Sequence, residues 1–130
     1  MKYLNKTYKT IIWDWKSTLY DANKAQLYNW VLPFFKNNDV NHIMVSWALN
    51  PDTRTELIKN SDVNKYFSKV YVTNESKRAF FVKILNDPKI EKESVIVIGD
   101  NVNDEIALAK ELGIDTVEVS KFVKIMNLQN

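Results

Sequence analysis

The sequence contains no cysteine, two glycines, three prolines and a single histidine among its 130 residues. The absence of cysteine excludes a disulfide framework and a thiolate metal site, which agrees with a cytoplasmic protein. No segment is long and apolar enough to cross a bilayer, and residues 1–8 lack the apolar core of a signal peptide. Because glycine is so scarce, we expect Gly99 and Gly113 at positions where the backbone needs them.

The composition is that of an ordinary globular protein, with 45% hydrophobic and 26% charged residues. A chain of this length is expected to form one domain over residues 1–130, with no room for a second. The net charge of +2 is too small to indicate a polyanionic partner. We therefore predict neither nucleic acid nor a membrane as a partner.

Short apolar segments alternate along the chain with segments in which apolar residues have helical spacing. The predicted strands are Lys9–Trp13, His42–Val45, Val70–Val72, Ser94–Ile98 and Thr116–Val119. The predicted helices are Asn23–Asn37, with a kink or an early end at Pro33, then Pro51–Lys59, Lys77–Asn86 and Asp104–Leu112. Phe122–Leu128 is predicted as a short amphipathic helix that packs on the sheet or on the partner of a homodimer. Strands separated by helices indicate a three-layer α/β fold with a mainly parallel sheet.

Two of the predicted strands end abruptly in aspartate. The first runs into Asp14, and the fourth runs through Gly99 into Asp100, with Asp104 a few residues later. Ligands of open α/β sheets bind beyond the carboxyl ends of the strands, so these carboxylates are expected to share one pocket. Such a pocket suits magnesium, which prefers oxygen ligands.

These residues resemble the four motifs of the haloacid dehalogenase (HAD) superfamily, whose members are mostly phosphohydrolases. The first motif, Asp-x-Asp-x-Thr after an apolar strand, is similar to Asp14-Trp15-Lys16-Ser17-Thr18. Ser46 at a strand end resembles the second motif, Lys77 the third, and Gly99-Asp100-Asn101-Val102-Asn103-Asp104 the fourth. The motifs occur in order and span nearly the whole chain, which implies a Rossmann-like HAD fold with five strands.

The resemblance implies a magnesium-dependent phosphohydrolase acting on a phosphorylated substrate. Asp14 would attack phosphorus and form an aspartyl-phosphate that water then hydrolyses. Ser46 and Lys77 would hold the phosphate oxygens and stabilise their charge. The implied magnesium ligands are Asp14, Asp100, the main-chain carbonyl of Lys16 and, as a ligand or in an outer position, Asp104.

Lys16 departs from the family pattern, in which a second aspartate protonates the leaving oxygen and then activates the water. Among carboxylates a lysine stays cationic, and it could pair with Asp14 or Asp100 and partly fill the magnesium position. Loss of a positioned acid/base costs about a hundredfold to ten-thousandfold in rate. Lys16 therefore leaves two interpretations. The protein is an enzyme with an atypical acid/base position, either retuned for a different substrate or simply altered at this one residue. Alternatively, it is a catalytically impaired HAD-fold binding or regulatory module.

No cap domain is predicted, since the interval Leu19–His42 holds one helix and the interval Ser46–Lys77 holds one helix and one strand. An open pocket suits a bulky or macromolecular substrate, or needs a partner to close it. Trp15 and Trp47 each follow a motif residue at the expected pocket rim, where packing is favoured over stacking on an aromatic substrate. His42, the lone histidine, is expected at the surface.

Overall fold

The computed structural model describes residues 1–129. Its strands are β1 (Lys2–Tyr3), β2 (Lys6–Thr7), β3 (Thr10–Trp13), β4 (Tyr20–Asp21), β5 (Gln26–Leu27), β6 (Asn41–Trp47), β7 (Phe67–Thr73), β8 (Val95–Gly99) and β9 (Asp115–Glu118). Its helices are α1 (Val31–Asn37), α2 (Pro51–Lys59), α3 (Arg78–Leu85), α4 (Glu105–Glu111) and α5 (Val119–Ile125), with 3₁₀ turns at Asn64–Tyr66 and Lys92–Ser94. Asn130, the last residue of the predicted single domain, lies outside the described residues.

Five strands form one parallel sheet in the order β7-β6-β3-β8-β9. Because β3 lies at the centre and is the first of these five strands along the chain, the direction of strand addition reverses between β3 and β8. The reversal opens a crevice beyond the carboxyl ends of these two strands, where open α/β sheets bind ligands. Trp13 lies opposite Met44 of β6 and Ile98 of β8, so the residues that follow them meet at one edge.

The side chains of β3 alternate between two apolar cores on opposite faces of the sheet. Ile11 and Trp13 face a core that α1, α2 and α5 help to form, and Ile12 faces a core that α3 and α4 complete. Both faces are therefore covered, which explains why the central strands are continuous apolar runs in the sequence. The predicted three-layer α/β fold with a five-stranded parallel sheet is confirmed.

Helix α5 packs on the core of its own chain. Phe122 is fully buried, with ring centroids 5.5 Å from Phe34, 5.7 Å from Tyr3 and 6.0 Å from Trp13. The segment was predicted to pack either on the sheet or on the partner of a homodimer, and in the structure it packs on the sheet of its own chain. The homodimer remains a prediction.

The predicted helix over Asn23–Asn37 is wrong in its first half, where β4 and β5 form an antiparallel hairpin. The Asp21 carboxylate accepts hydrogen bonds from the N–H groups of Asn23 and Lys24, at 3.0 and 3.3 Å, and so holds a turn that competes with helix. Only α1 is helical, and it begins two residues before Pro33. A proline is tolerated in the first turn of a helix because its missing N–H has no intrahelical acceptor there.

Between the carboxyl end of β3 and the start of α3, the described chain contains no inserted domain. Helix α2 follows β6 directly and keeps its predicted bounds, with Asn50 accepting a hydrogen bond from the Thr53 N–H at 3.2 Å. The carboxyl edge of the sheet is therefore covered only by short loops and the β4–β5 hairpin. Within residues 1–129, none of the helices has the length and apolarity needed to span a bilayer.

His42 is buried, with 2% of its surface exposed, so the expectation of a surface position is wrong. The indole Nε1–H of Trp13 donates to His42 Nδ1 at 3.0 Å, and His42 Nε2 lies 2.9 Å from the carbonyl oxygen of Asn38. Because Nδ1 accepts a hydrogen bond from Trp13 and Nε2 faces a carbonyl oxygen, the ring is neutral and carries its proton on Nε2. Burial lowers the pKa of His42, because the charged imidazolium would lose its hydration.

Candidate active site

A cavity of about 340 Å³ lies at the carboxyl edge of the sheet, beyond the ends of β3, β6 and β8. It is lined by Asp14, Lys16, Ser17, Trp47, Lys77, Asp100, Asn101, Asp104 and Glu105. Six of these residues come from the loops that follow β3 and β8, which the sheet topology brings together. Of the other three, Trp47 ends β6, Lys77 precedes α3 and Glu105 begins α4. The cavity is open to solvent, because the described chain has no domain above it.

The loop after β3 holds Asp14 in a fixed position. The Asp14 N–H donates to the Ile98 carbonyl at 3.1 Å, which ties the residue to β8. The Trp15 carbonyl accepts from the N–H groups of residues 18, 19 and 20, and Ser17 takes a left-handed conformation with φ of 61°. This tight turn buries Thr18, whose hydroxyl donates to Asp14 Oδ2 at 3.3 Å and lies 3.5 Å from Asp100 Oδ1.

Lys77, just before α3, places a buried ammonium among carboxylates. Its Nζ lies 2.9 Å from Asp14 Oδ1, 3.0 Å from Glu105 Oε1 and 3.4 Å from Asp104 Oδ2. Burial by itself would lower the pKa of Lys77, but the charges of Asp14, Glu105 and Asp104 outweigh it and raise this pKa. The side chain is therefore a permanent cation beside Asp14, and its burial is offset by three ion pairs.

Three carboxylates form the centre of the site. Asp14, Asp100 and Glu105 each offer an oxygen atom, and these atoms lie within 4.8 Å of one another. Burial and the neighbouring Asp14 raise the pKa of Asp100 to about 7. Burial and Asp14 also raise the pKa of Glu105, against the opposing effect of Lys77. A compact set of hard oxygen donors that repel one another fits a magnesium ion, which takes such ligands and neutralises their charge.

Glu105 is a site residue that the sequence analysis missed. It begins α4, is 2% exposed, and accepts a hydrogen bond from the Asn101 N–H at 2.6 Å. Asp104, the residue that was predicted, lines the cavity and pairs with Lys77, but it is partly exposed and is not part of the carboxylate cluster. Gly99 gives the room for this arrangement, since a Cβ added there would overlap the Glu105 carboxylate. A glycine at the end of β8, before a helix that starts with glutamate, is the sequence signal that could have indicated Glu105.

Ser46 is fully buried at the end of β6, and its hydroxyl accepts a hydrogen bond from Arg54 Nη1 at 2.7 Å. The same nitrogen donates to the Trp47 carbonyl at 3.1 Å. Burial lowers the pKa of Arg54, and the nearby Asp14 charge opposes this shift. Neither Ser46 nor Arg54 is among the residues that line the cavity, but both adjoin Trp47, which does. Sequence reasoning missed Arg54 because an arginine on a polar helix is common.

Lys16 lines the cavity and is exposed, and within residues 1–129 its ammonium forms no ion pair. The pairing with Asp14 or Asp100 considered for it is not found. Trp47 also lines the cavity and is half exposed, whereas Trp15 is fully buried and stacks on Tyr20 at a centroid distance of 5.3 Å. Only one of the two candidate tryptophans therefore faces the site.

The family described as "Haloacid dehalogenase-like hydrolase" has a model that matches residues 4–119. Among solved structures, an uncharacterized protein from Listeria monocytogenes serotype 4b superposes with a TM-score of 0.70 at 18% identity, over 85% of this chain and 77% of that one. The core domain of "a putative phosphoglycolate phosphatase" from Streptococcus pneumoniae TIGR4 gives a TM-score of 0.61 at 17% identity, over 87% and 80% of the two chains. At such identities the likeness shows the fold alone. No curated protein has significant similarity to the chain.

Proposed function

Because the chain belongs to the haloacid dehalogenase-like hydrolase family, we propose that it is a phosphohydrolase in which Asp14 is the nucleophile. One observation carries this proposal. The Asp14 carboxylate lines the cavity, and its two oxygens are held separately, Oδ1 by Lys77 and Oδ2 by Thr18. A carboxylate fixed in this way beside a buried cation is suited to attack an anionic phosphate.

The proposed reaction has two steps. An Asp14 oxygen forms a bond to phosphorus while the bond from phosphorus to the ester oxygen breaks, and that oxygen takes a proton from solvent and leaves as the alcohol. Water then attacks the aspartyl-phosphate, releases inorganic phosphate and regenerates the carboxylate. The Lys77 ammonium stabilises the negative charge on the transferred phosphoryl group, because it stays charged and is held in place before the reaction.

Magnesium fits the carboxylate cluster, and we propose that Asp14, Asp100 and Glu105 hold it. The main-chain carbonyl of Lys16 is a further proposed ligand, and Asp104 takes an outer position through its contact with Lys77. When bound, the ion supplies charge neutralisation between the nucleophile and the phosphate.

The phosphate contact predicted for Ser46 remains a proposal, and Arg54 is a second residue to consider with it. The Ser46 hydroxyl is engaged by Arg54, so we propose that it positions the guanidinium while Arg54 contributes positive charge near Asp14. We propose that Lys77, which lines the cavity, and Arg54, which lies near Asp14, both contribute positive charge to the binding of a phosphorylated substrate. A bulky or macromolecular substrate remains a prediction from the open cavity.

A catalytically impaired binding or regulatory module is the second candidate function, and one observation favours it. Lys16, a cation, lines the cavity two residues after Asp14, where the phosphatases of the family carry their acid/base. Such a module would bind phosphate esters without hydrolysing them.

The test is magnesium-dependent hydrolysis of an aryl phosphate by the native chain, Asp14→Asn and Lys16→Asp, with circular dichroism to check folding. We expect native turnover, its loss in Asp14→Asn, and equal or higher turnover in Lys16→Asp. A folded native chain without turnover that gains it in Lys16→Asp would assign the binding module. Native turnover that survives in Asp14→Asn would overturn the proposed nucleophile.

A further inference from the structure

Trp47 places an aromatic ring in the wall of the catalytic cavity. It is 47% exposed, whereas Trp13, Trp15 and Trp30 are buried. Its backbone is held on both sides, since its carbonyl accepts from Arg54 Nη1 at 3.1 Å and the next N–H, of Ala48, donates to the Thr73 carbonyl at 2.9 Å. An exposed indole in the wall of the cavity offers a flat apolar surface on which a planar ligand can stack.

Lys16 places a positive charge in the wall of the same cavity and has no ion-pair partner among residues 1–129. The cavity holds about 340 Å³, near the lower end of the range for small-molecule sites. When the phosphoryl group of a substrate lies at Asp14 and Lys77, we therefore expect the leaving group bonded to it to contact Trp47 and Lys16.

We propose that Trp47 and Lys16 form a leaving-group subsite that selects phosphate esters of aromatic alcohols, with the ring stacked on Trp47 and the ester oxygen towards Lys16. The inference rests on the proposed function, because it names the substrate class of that reaction. Planar rings stack favourably on an indole, whereas saturated groups of the same size gain only contact area.

The charge on the leaving oxygen leads to the same substrate class. As Asp14 bonds to phosphorus, the electron pair of the breaking bond goes to the ester oxygen, which takes its proton from solvent. An aryl oxygen carries that charge far more readily than an alkyl oxygen, since a phenol such as tyrosine already ionises near pH 10. With a lysine and no carboxylic acid at position 16, a substrate that needs little protonation is favoured.

The kinetic test compares kcat/KM for phenyl phosphate and cyclohexyl phosphate, which have similar size but differ in planarity and in leaving oxygen. We expect the native chain to prefer phenyl phosphate and Trp47→Ala to reduce this preference about threefold to tenfold. Trp47→Phe should restore it. Leu49→Ala is the matched control, because Leu49 lies two residues after Trp47, is 83% exposed and does not line the cavity. A preference unchanged in Trp47→Ala would overturn the subsite.

Lys16→Asp tests the role of Lys16 near the ester oxygen, with the same two substrates. It should raise turnover of cyclohexyl phosphate more than that of phenyl phosphate, because a carboxylic acid can protonate the alkyl oxygen. Equal effects on both substrates would contradict the role assigned to the leaving oxygen.

Binding separates this inference from the proposed function. Phenylphosphonate cannot be hydrolysed, so calorimetry with magnesium measures the subsite even in a chain without turnover. We expect phenylphosphonate to bind more tightly than methylphosphonate, with most of the difference lost in Trp47→Ala. Equal affinities in the native chain would overturn the subsite, whether or not the chain is a phosphatase.

The aromatic ester can come from a small metabolite or from phosphotyrosine in a protein. Hydrolysis of free phosphotyrosine and of a short phosphotyrosine peptide distinguishes these sources by the ratio of their kcat/KM values. Loss of rate on both in Trp47→Ala supports the subsite, and rates independent of Trp47 on both overturn it.

Discussion

Lys77 shows how much of the site depends on one residue. Its ammonium is buried and contacts carboxylates from the loop after β3 and from the start of α4, residues that are far apart in the chain. A buried charge without partners would destabilise the fold by several kcal/mol, on the order of the cost of breaking a buried ion pair. Asp14, Glu105 and Asp104 therefore stabilise Lys77, and Lys77 in turn holds Asp14 and Glu105, two members of the carboxylate cluster, close together.

His42 provides a pH test at the same scale, because it is the only histidine and its NMR signal needs no assignment. We expect its ring to titrate below the ordinary value of about 6.5, since burial lowers its pKa. The unfolded chain then binds the proton more readily than the folded one. The contribution of His42 to the free energy of unfolding is therefore complete above about pH 6.5 and is lost as the pH falls towards the folded pKa.

The measurement is the chemical shift of the His42 ring protons against pH, in the folded protein and again in urea. The urea sample should titrate near the ordinary value. A folded pKa at or above that value would contradict the buried, neutral ring held by Trp13 and Asn38.

At the scale of single elements, the packing of helix α5 shows that this segment is part of the core. Helix α5 has only seven residues, too short to be stable alone, so its packing must hold it in place. Its one fully buried side chain, Phe122, inserts among Tyr3, Trp13 and Phe34. Helix α5 also contacts β9 and β8, and so it supports β8, the strand that ends just before Asp100.

Phe122→Ala should lower the free energy of unfolding by about 3–5 kcal/mol, the usual cost of removing a buried phenylalanine ring. Ile125→Ala is the matched control on the same helix, because Ile125 is 41% exposed. Its expected cost is about 1 kcal/mol or less. Urea unfolding of both variants makes the comparison, and equal small losses would show that α5 is not part of the core.

At the scale of the whole molecule, the strand order explains why three separate loops form one site. β3 lies between β6 and β8, and the chain reaches β8 only after it has passed through α2, β7 and α3. The loop that carries Asp100 therefore meets Asp14 only in the folded protein. A ligand that binds these carboxylates together should stabilise the entire fold.

Magnesium should accordingly raise the midpoint of urea unfolding. A concentration ten times the dissociation constant adds about 1.4 kcal/mol to the free energy of unfolding. Asp100→Asn should lose this gain, while Asp62→Asn, which changes an exposed carboxylate away from the cluster, should keep it. An equal gain in both variants would show that magnesium binds elsewhere, and no gain in the native chain would contradict the proposed metal site.

The sequence by itself determined the fold class and the order of the site loops. Buried parallel strands need continuous apolar runs, and such runs end where the chain turns, so Asp14 and Asp100 could be placed at strand ends without coordinates. Lys77 could likewise be placed at the start of a helix, and the structure brings all three to one cavity.

Only the tertiary structure decided which side chains enter that cavity. Whether Asp104 or Glu105 joins the carboxylate cluster depends on the phase of α4 and on the room that Gly99 leaves. The β4–β5 hairpin, the burial of His42 and the contact of Arg54 with Ser46 likewise depend on neighbours distant in the chain. Local patterns encode the period and the ends of elements, whereas burial and contact arise from packing between elements, and so they are decided only when the chain folds.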